Sequence, residues 1–329
     1  MPEIKLTNID TKTAFKIADI LANSEKENIT LDISKLSFSF PFGSLVLANE
    51  IAYHVENFNT DVWISGYSKL KESHSYLGHI GFYKTALFDL GKELGEAKGS
   101  RTYIPFNKIS KHCLLKKQSE YEDEYGITHP LQYFIQLEAV KIARIITTVP
   151  EEVDALAYCF REIIRNVFEH GEIDECMLCG QKYSGQNARV EIGIIDNGCG
   201  IANSLKDNFG VTTDRQALNL CLQPGISGKD VKKDGIWSNS GFGLYILSEL
   251  GKRFGKFMLC SGEHGIECSR GKAKLNDYRF HGTAIQLCID LNHFKEVMST
   301  IDQIASEGEK IAQSEGRTAK ASKHSRMLW

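Results

Sequence analysis

Phe160-Arg-Glu162-Ile-Ile-Arg-Asn166-Val-Phe-Glu-His170-Gly171 is the stretch on which the reading of this chain turns. The pattern predicts a helix that starts after Pro150, a good first-turn residue ahead of Glu151 and Glu152, and runs to about His170. Glu162 and Asn166 stand four apart on it and so share a face, one turn from each other. Ile163, Ile164 and Val167 predict that the helix is largely buried, and polar groups on a buried helix need partners. An asparagine carbonyl oxygen suits magnesium, which takes few protein ligands and otherwise keeps water or phosphates. A carboxylate one turn earlier can accept a proton from an attacking water. Taken alone, such a pair is more often an exposed polar helix face.

Three further segments alter that weighting. Val190-Glu-Ile-Gly-Ile-Ile-Asp196-Asn197-Gly198-Cys199-Gly200 reads as a strand that delivers an aspartate into a turn with two glycines. An ionised Asp196 can accept a hydrogen bond from the exocyclic amine of adenine, where guanine offers a carbonyl. Ser240-Gly241-Phe242-Gly243-Leu244 is a glycine-bearing loop entering an apolar helix. Backbone N–H groups at that helix start could cradle phosphates. In His281-Gly282-Thr283-Ala-Ile-Gln-Leu287, Thr283 opens an expected strand, and its hydroxyl could reach the adenine edge directly or through water.

These four elements, in this order, resemble the nucleotide site of the gyrase, heat-shock chaperone, histidine kinase and MutL (GHKL) ATPases. The resemblance covers roughly Leu131 to Leu291 and implies an α/β fold of the α+β two-layer sandwich kind, with ATP and Mg2+ between helices and a mobile lid. It implies that Asn166 holds magnesium, Glu162 is the general base and Asp196 the adenine contact with Thr283 beside it. Gly198, Gly200, Gly241, Phe242, Gly243 and Leu244 would form the lid ends and phosphate loop. The lid would be Asn208 to Asn239, with Gly210, Gly225, Gly228, Gly235 and the group Lys229, Lys232 and Lys233, one of which could reach a phosphate. Within the superfamily the motifs look most like anti-sigma serine kinases and orphan bacterial ATP-binding proteins. His112 and His129 make poor phosphoacceptors for a sensor kinase, and the residues past Leu291 leave no room for a transducer domain. The expectation is an ATPase or serine kinase of a bacterial signalling setting, or alternatively an ATP-gated interaction switch with little turnover, acting on an unidentified protein partner.

Upstream, Ile29-Thr-Leu-Asp-Ile-Ser reads as a strand, followed after Pro41-Phe42-Gly43 by helical spacing through Leu45, Leu47, Ala48, Ile51 and Ala52. A second strand (Asp61–Ser65) precedes a helical pattern through Leu77, Ile80, Tyr83, Leu87 and Leu90, and a short strand at Tyr103-Ile104 closes the set. Alternation of this kind predicts a sheet covered by helices. The segment Ile29 to Val55 resembles a STAS domain, the fold of anti-anti-sigma factors, whose strand–helix turn carries a phosphorylated serine. Here Phe40-Pro41-Phe42-Gly43 keeps only the glycine, so docking is the expected role; Ser44 is an alternative acceptor or an ordinary cap. The expected organisation is a STAS-like domain over 1–115, a polar linker over 116–127, the ATP-binding domain over 128–295, and a C-terminal helix and basic tail over 296–329.

The bulk properties are compatible with two filled cores: 329 residues, 42% hydrophobic and 25% charged. A formal net charge of −3 gives no electrostatic footprint for nucleic acid. Met1 to Asp10 lacks a basic stretch followed by an apolar run, and no run reaches the ~18 apolar residues that span a bilayer. With nine cysteines scattered through expected helices and strands, a reducing, cytoplasmic compartment is expected. Cys176 and Cys179, with Cys260 and Cys268, could form a zinc site only if the fold gathered them. An i, i+3 pair on a strand points to opposite faces, so small buried hydrophobes are the favoured reading.

Overall fold

The computed structural model describes residues 2–24, 27–58, 60–171, 173–228 and 240–321 as a mixed α/β protein. The first part comprises β1 (Glu3–Lys5), β2 (Asn8–Ile9), α1 (Thr11–Ala22), β3 (Ile29–Asp32), β4 (Phe38–Ser39), α2 (Pro41–Phe58), β5 (Val62–Ser65), α3 (Glu72–Ile80) and α4 (Phe82–Thr85). Strands β1, β3 and β5 form a parallel sheet in that order, and β2 pairs with β4. Asp10 caps α1, its Oδ1 accepting from the Thr13 N–H at 2.7 Å. Helix α2 is buried on all sides from Pro41 to Ile51, the signature of a helix held between two layers.

The second part comprises β6 (Tyr103–Ser110), α5 (Lys111–Tyr125), α6 (Leu131–Ile146), α7 (Pro150–His170), β7 (Glu175–Tyr183), β8 (Arg189–Asp196), α8 (Gly200–Phe209), α9 (Asp214–Cys221), α10 (Gly243–Phe254), β9 (Gly255–Gly262), β10 (His264–Ser269), β11 (Lys272–Asn276), β12 (Phe280–Asp290) and α11 (Phe294–Ser314). Its sheet is antiparallel throughout, in the order β11-β10-β9-β12-β8-β7-β6.

Strand periodicity sorts the side chains of this sheet into two cores. Val190, Ile192 and Ile194 of β8, with Ile285 and Leu287 of β12, pack under α6, α7 and α10. Ile195, Ala284, Met258 and Cys260 face the other way, into the core of α1 and α2. Both faces of the sheet are thus covered, which is why β8 reads as an almost unbroken apolar run rather than an alternating one. The closest approach is at Gly193: a Cβ there would lie 2.7 Å from the Phe42 ring, so only glycine lets α2 lie on the sheet.

Several expectations change. Residues 116–127, expected as a linker, fall mostly within α5. That helix buries only Leu114 and is fastened to α6 by Lys117–Glu138 at 2.9 Å, so no apolar stripe announces it. The strand at Tyr103-Ile104 extends to Ser110 and pairs with β7, making it the edge of the large sheet rather than the last strand of the first. The helical pattern through Leu90 breaks at Gly81, whose φ of 96° ends α3; Leu87 lies beyond α4 and is exposed. Two-layer packing describes each sheet alone, but α2 joins them into a stack. Cys176 enters one core and Cys179 the other, and no cluster of three or more potential metal ligands occurs among the described residues. Ser44 is fully buried within α2, where neither a modifying enzyme nor a cap role can use it. No helix among the described residues is long and apolar enough to cross a membrane.

Candidate functional site

The ends of α7 and β8 and the starts of β12, α8 and α10 converge on one cavity. Asn166, Asp196, Gly200, Gly241, Gly243, Leu244 and Thr283 all line it, together with Val167, Leu205 and Ile285. The even-numbered face of β8 carries Asp196 to the helical side, and the β8–β12 register sets Thr283 directly opposite it.

Asp196 is 4% exposed, and burial pushes its carboxyl up to about 6. The Gly198 N–H donates to its Oδ1 at 2.8 Å, and Thr283 donates to it as well, which limits that rise. A carboxylate so placed is a directed acceptor facing an apolar-walled cavity, suited to an amino group on a flat ligand. The turn after it is clamped from two sides. The Cys199 N–H donates to the Gly171 carbonyl at 2.9 Å. On the other face, Asn49 and Asn197 exchange hydrogen bonds at 2.9 and 3.1 Å.

Asn166 reaches the cavity wall with its Nδ2 buried and without a hydrogen-bond partner among the described residues. A native amide is seldom left this way, and a water or an anionic ligand accepting from its N–H is one standard explanation. Glu162 is not on the wall. It is 3% exposed, its Oε1 accepting from Arg161 Nη2 at 2.9 Å and Nε at 3.1 Å, with Arg165 Nη1 at 3.5 Å. Its other oxygen lies against Gly243, where a Cβ would come within 2.7 Å. Gly198 is in the turn behind the cavity, and the Phe242 ring is turned into the core beside Tyr245.

The glycine loop has a hydrogen-bonded base: the Gly225 N–H donates to the Gly241 carbonyl at 3.0 Å. Gly241 holds a φ of 70°, and a Cβ there would meet Gly225 and Ile226 backbone at 2.6 Å. Ile226, Ser227 and Gly228 lie over the cavity and leave room of about 50 Å³, space for a few waters. The front of the expected lid is helix α9, with Ala217 and Leu218 fully buried. Gly210 ends α8, while Lys229, Lys232, Lys233 and Gly235 lie outside the described residues.

Two contributors escaped the sequence reading. Ser261 of β9 donates to the Gly282 carbonyl at 2.7 Å and accepts from the Ile201 N–H at 3.0 Å, tying the start of α8 to that of β12. A serine in the apolar phase of β9, after Phe257 and Leu259, was the available signal. Asn49 was signalled only as one of a few polar residues, with Ser44, Glu50 and His54, in a helix that is mostly apolar through Ile51. Searches of this chain against protein-family models, curated proteins and solved structures return no match.

Proposed function

We propose that the chain is a magnesium-dependent ATP-binding protein of the GHKL type, with a STAS-like unit docked on the back of its sheet. In this reading it hydrolyses ATP or passes the terminal phosphoryl group to a protein serine. The observation that carries the reading is the meeting of Asn166, the Asp196–Thr283 pair and the loop glycines Gly241 and Gly243 at one cavity.

The residues fit the group. Asn166 stands at the cavity wall, where its side-chain oxygen is the hard ligand it would offer to magnesium and its buried, unpartnered Nδ2 would donate to a phosphate oxygen. Bound magnesium would supply charge neutralisation on the phosphates. Asp196 accepts from the adenine amine, with Thr283 fixing the carboxylate's direction. The amino end of α10 presents backbone N–H groups and the positive pole of the helix to an anion.

A second reading, an ATP-gated interaction switch, is favoured by one observation. Glu162 is sealed off the cavity wall by two guanidinium groups and by Gly243. The two readings separate on magnesium-dependent phosphate release measured with nucleotide binding for wild type and Glu162→Gln. Release lost in the variant with binding retained supports the enzyme. Binding without turnover in either protein supports the switch, and no binding by the wild type overturns both.

A further inference from the structure

Helix α2 belongs to the first part of the chain, yet one stretch of it touches both turns that carry the Asp196–Thr283 pair. Asn49 exchanges two hydrogen bonds with Asn197, the residue after Asp196. Glu50 is 6% exposed and lies opposite the His281 N–H at 3.5 Å, two residues before Thr283. One turn on, the Tyr53 ring stacks on His281 with centroids 4.1 Å apart. Positions i, i+1 and i+4 of one helix thus hold the two turns from behind.

The Asn49–Asn197 pair is specific in a way apolar packing is not. Each amide serves as donor and acceptor to the other, so the pair satisfies both only in one mutual orientation. Asn197 is continuous with Asp196, whose Oδ1 in turn accepts from Gly198. Anchoring the Asn197 side chain therefore restrains the backbone on which the carboxylate stands. Asn49 is 3% exposed, so its amide cannot exchange its partner for bulk water at no cost, whereas Asn197 stands at the exposed end of the pair.

We infer that Asn49 is a positioning residue for base recognition, through which the first part of the chain sets nucleotide affinity; the inference rests on the ATP reading above. Linkage makes the coupling reciprocal: nucleotide held by Asp196 tightens the seat of α2 by the same factor that α2 tightens nucleotide.

The test compares wild type, Asn49→Leu, Asn197→Leu and the double variant, each with magnesium ATP and with magnesium tripolyphosphate, which has no base. Dissociation constants come from competition with a fluorescent nucleotide, and folding from thermal unfolding. The expected result is that Asn49→Leu weakens ATP about 5- to 30-fold, the equivalent of two lost hydrogen bonds. Tripolyphosphate affinity should change less than about twofold, since the phosphate end is untouched. The double variant should be no weaker than Asn49→Leu, because the pair is already broken once Asn49 is gone and the exposed Asn197 amide finds water. Equal losses for ATP and tripolyphosphate, or an unchanged ATP affinity in Asn49→Leu, overturn the inference while leaving the ATP reading intact. A wild type that binds no ATP overturns that reading and the inference with it. Hydrogen exchange of the wild type guards against a variant that does not fold: α2 amides from Asn49 to Tyr53 should slow with magnesium ATP, and unchanged exchange overturns the coupling.

Discussion

Replacing Asp196 by asparagine should stabilise the unliganded protein and weaken nucleotide binding. Burial raises the Asp196 carboxyl from 3.8 to about 6, which corresponds to a cost on the order of 3 kcal/mol for the ionised form at neutral pH. Asparagine keeps an oxygen to accept from Gly198 and Thr283 but carries no charge to desolvate. The sign follows from the raised value. The aspartate costs nothing below about pH 4, where it is protonated in both folded and unfolded chains, and the full cost appears as pH rises through about 6. Urea unfolding of wild type and Asp196→Asn should therefore coincide near pH 4 and diverge to a gain of about 1 to 3 kcal/mol for the variant at pH 7.5. Other raised carboxyls, Glu50 at about 7 and Glu191, contribute equally to both proteins and cancel in the difference. A variant less stable than wild type at pH 7.5, or a gap that does not change with pH, would refute the reasoning. Stabilisation bought with lost binding is what a strained functional carboxylate predicts.

The same group sets a pH dependence for binding. ATP affinity should be flat above pH 7 and fall about tenfold per unit below 6 as Asp196 protonates, measured by titration calorimetry; a pH-independent affinity would count against the adenine role. Gly193→Ala places a methyl 2.7 Å from the Phe42 ring and 3.1 Å from Cys179 Sγ, and should lower stability by about 1–3 kcal/mol in urea unfolding. Gly241→Ala combines a positive φ with a backbone clash and should reduce nucleotide affinity more than tenfold in the same calorimetry, with far-UV circular dichroism unchanged. Glu162→Gln removes the carboxylate charge that the buried Arg161 holds at 2.9 Å, while Arg165 keeps Glu169 at 3.1 Å, and should cost about 3 kcal/mol in thermal unfolding, so its kinetics belong below its own melting range.

The sequence alone determined those features in which neighbours along the chain decide the outcome. The helix from Pro150 to His170, with Glu162 and Asn166 one turn apart, follows from a first-turn proline and a 3.6-residue period. The strand ending at Asp196 and the terminal helix face of Val297, Ile301 and Ile304 are legible for the same reason. Period 2 likewise sends Cys176 and Cys179 to opposite faces. Where contacts across the chain decided, local pattern failed. Helix α5 has no apolar stripe because one leucine, the Tyr121 ring against Phe134 and ion pairs hold it, and β6 belongs to the sheet its hydrogen bonds choose, not to the elements before it. Glu162 carries the residue type of a base, but two arginines brought in by the helix turn take its carboxylate. Asn49 and Asn197 stand 148 residues apart and carry no motif; only the seating of α2 on Gly193 brings them within hydrogen-bond reach. Spacing fixes which residues share a face, whereas the partner that face meets depends on long-range packing, and that decided how this site is held.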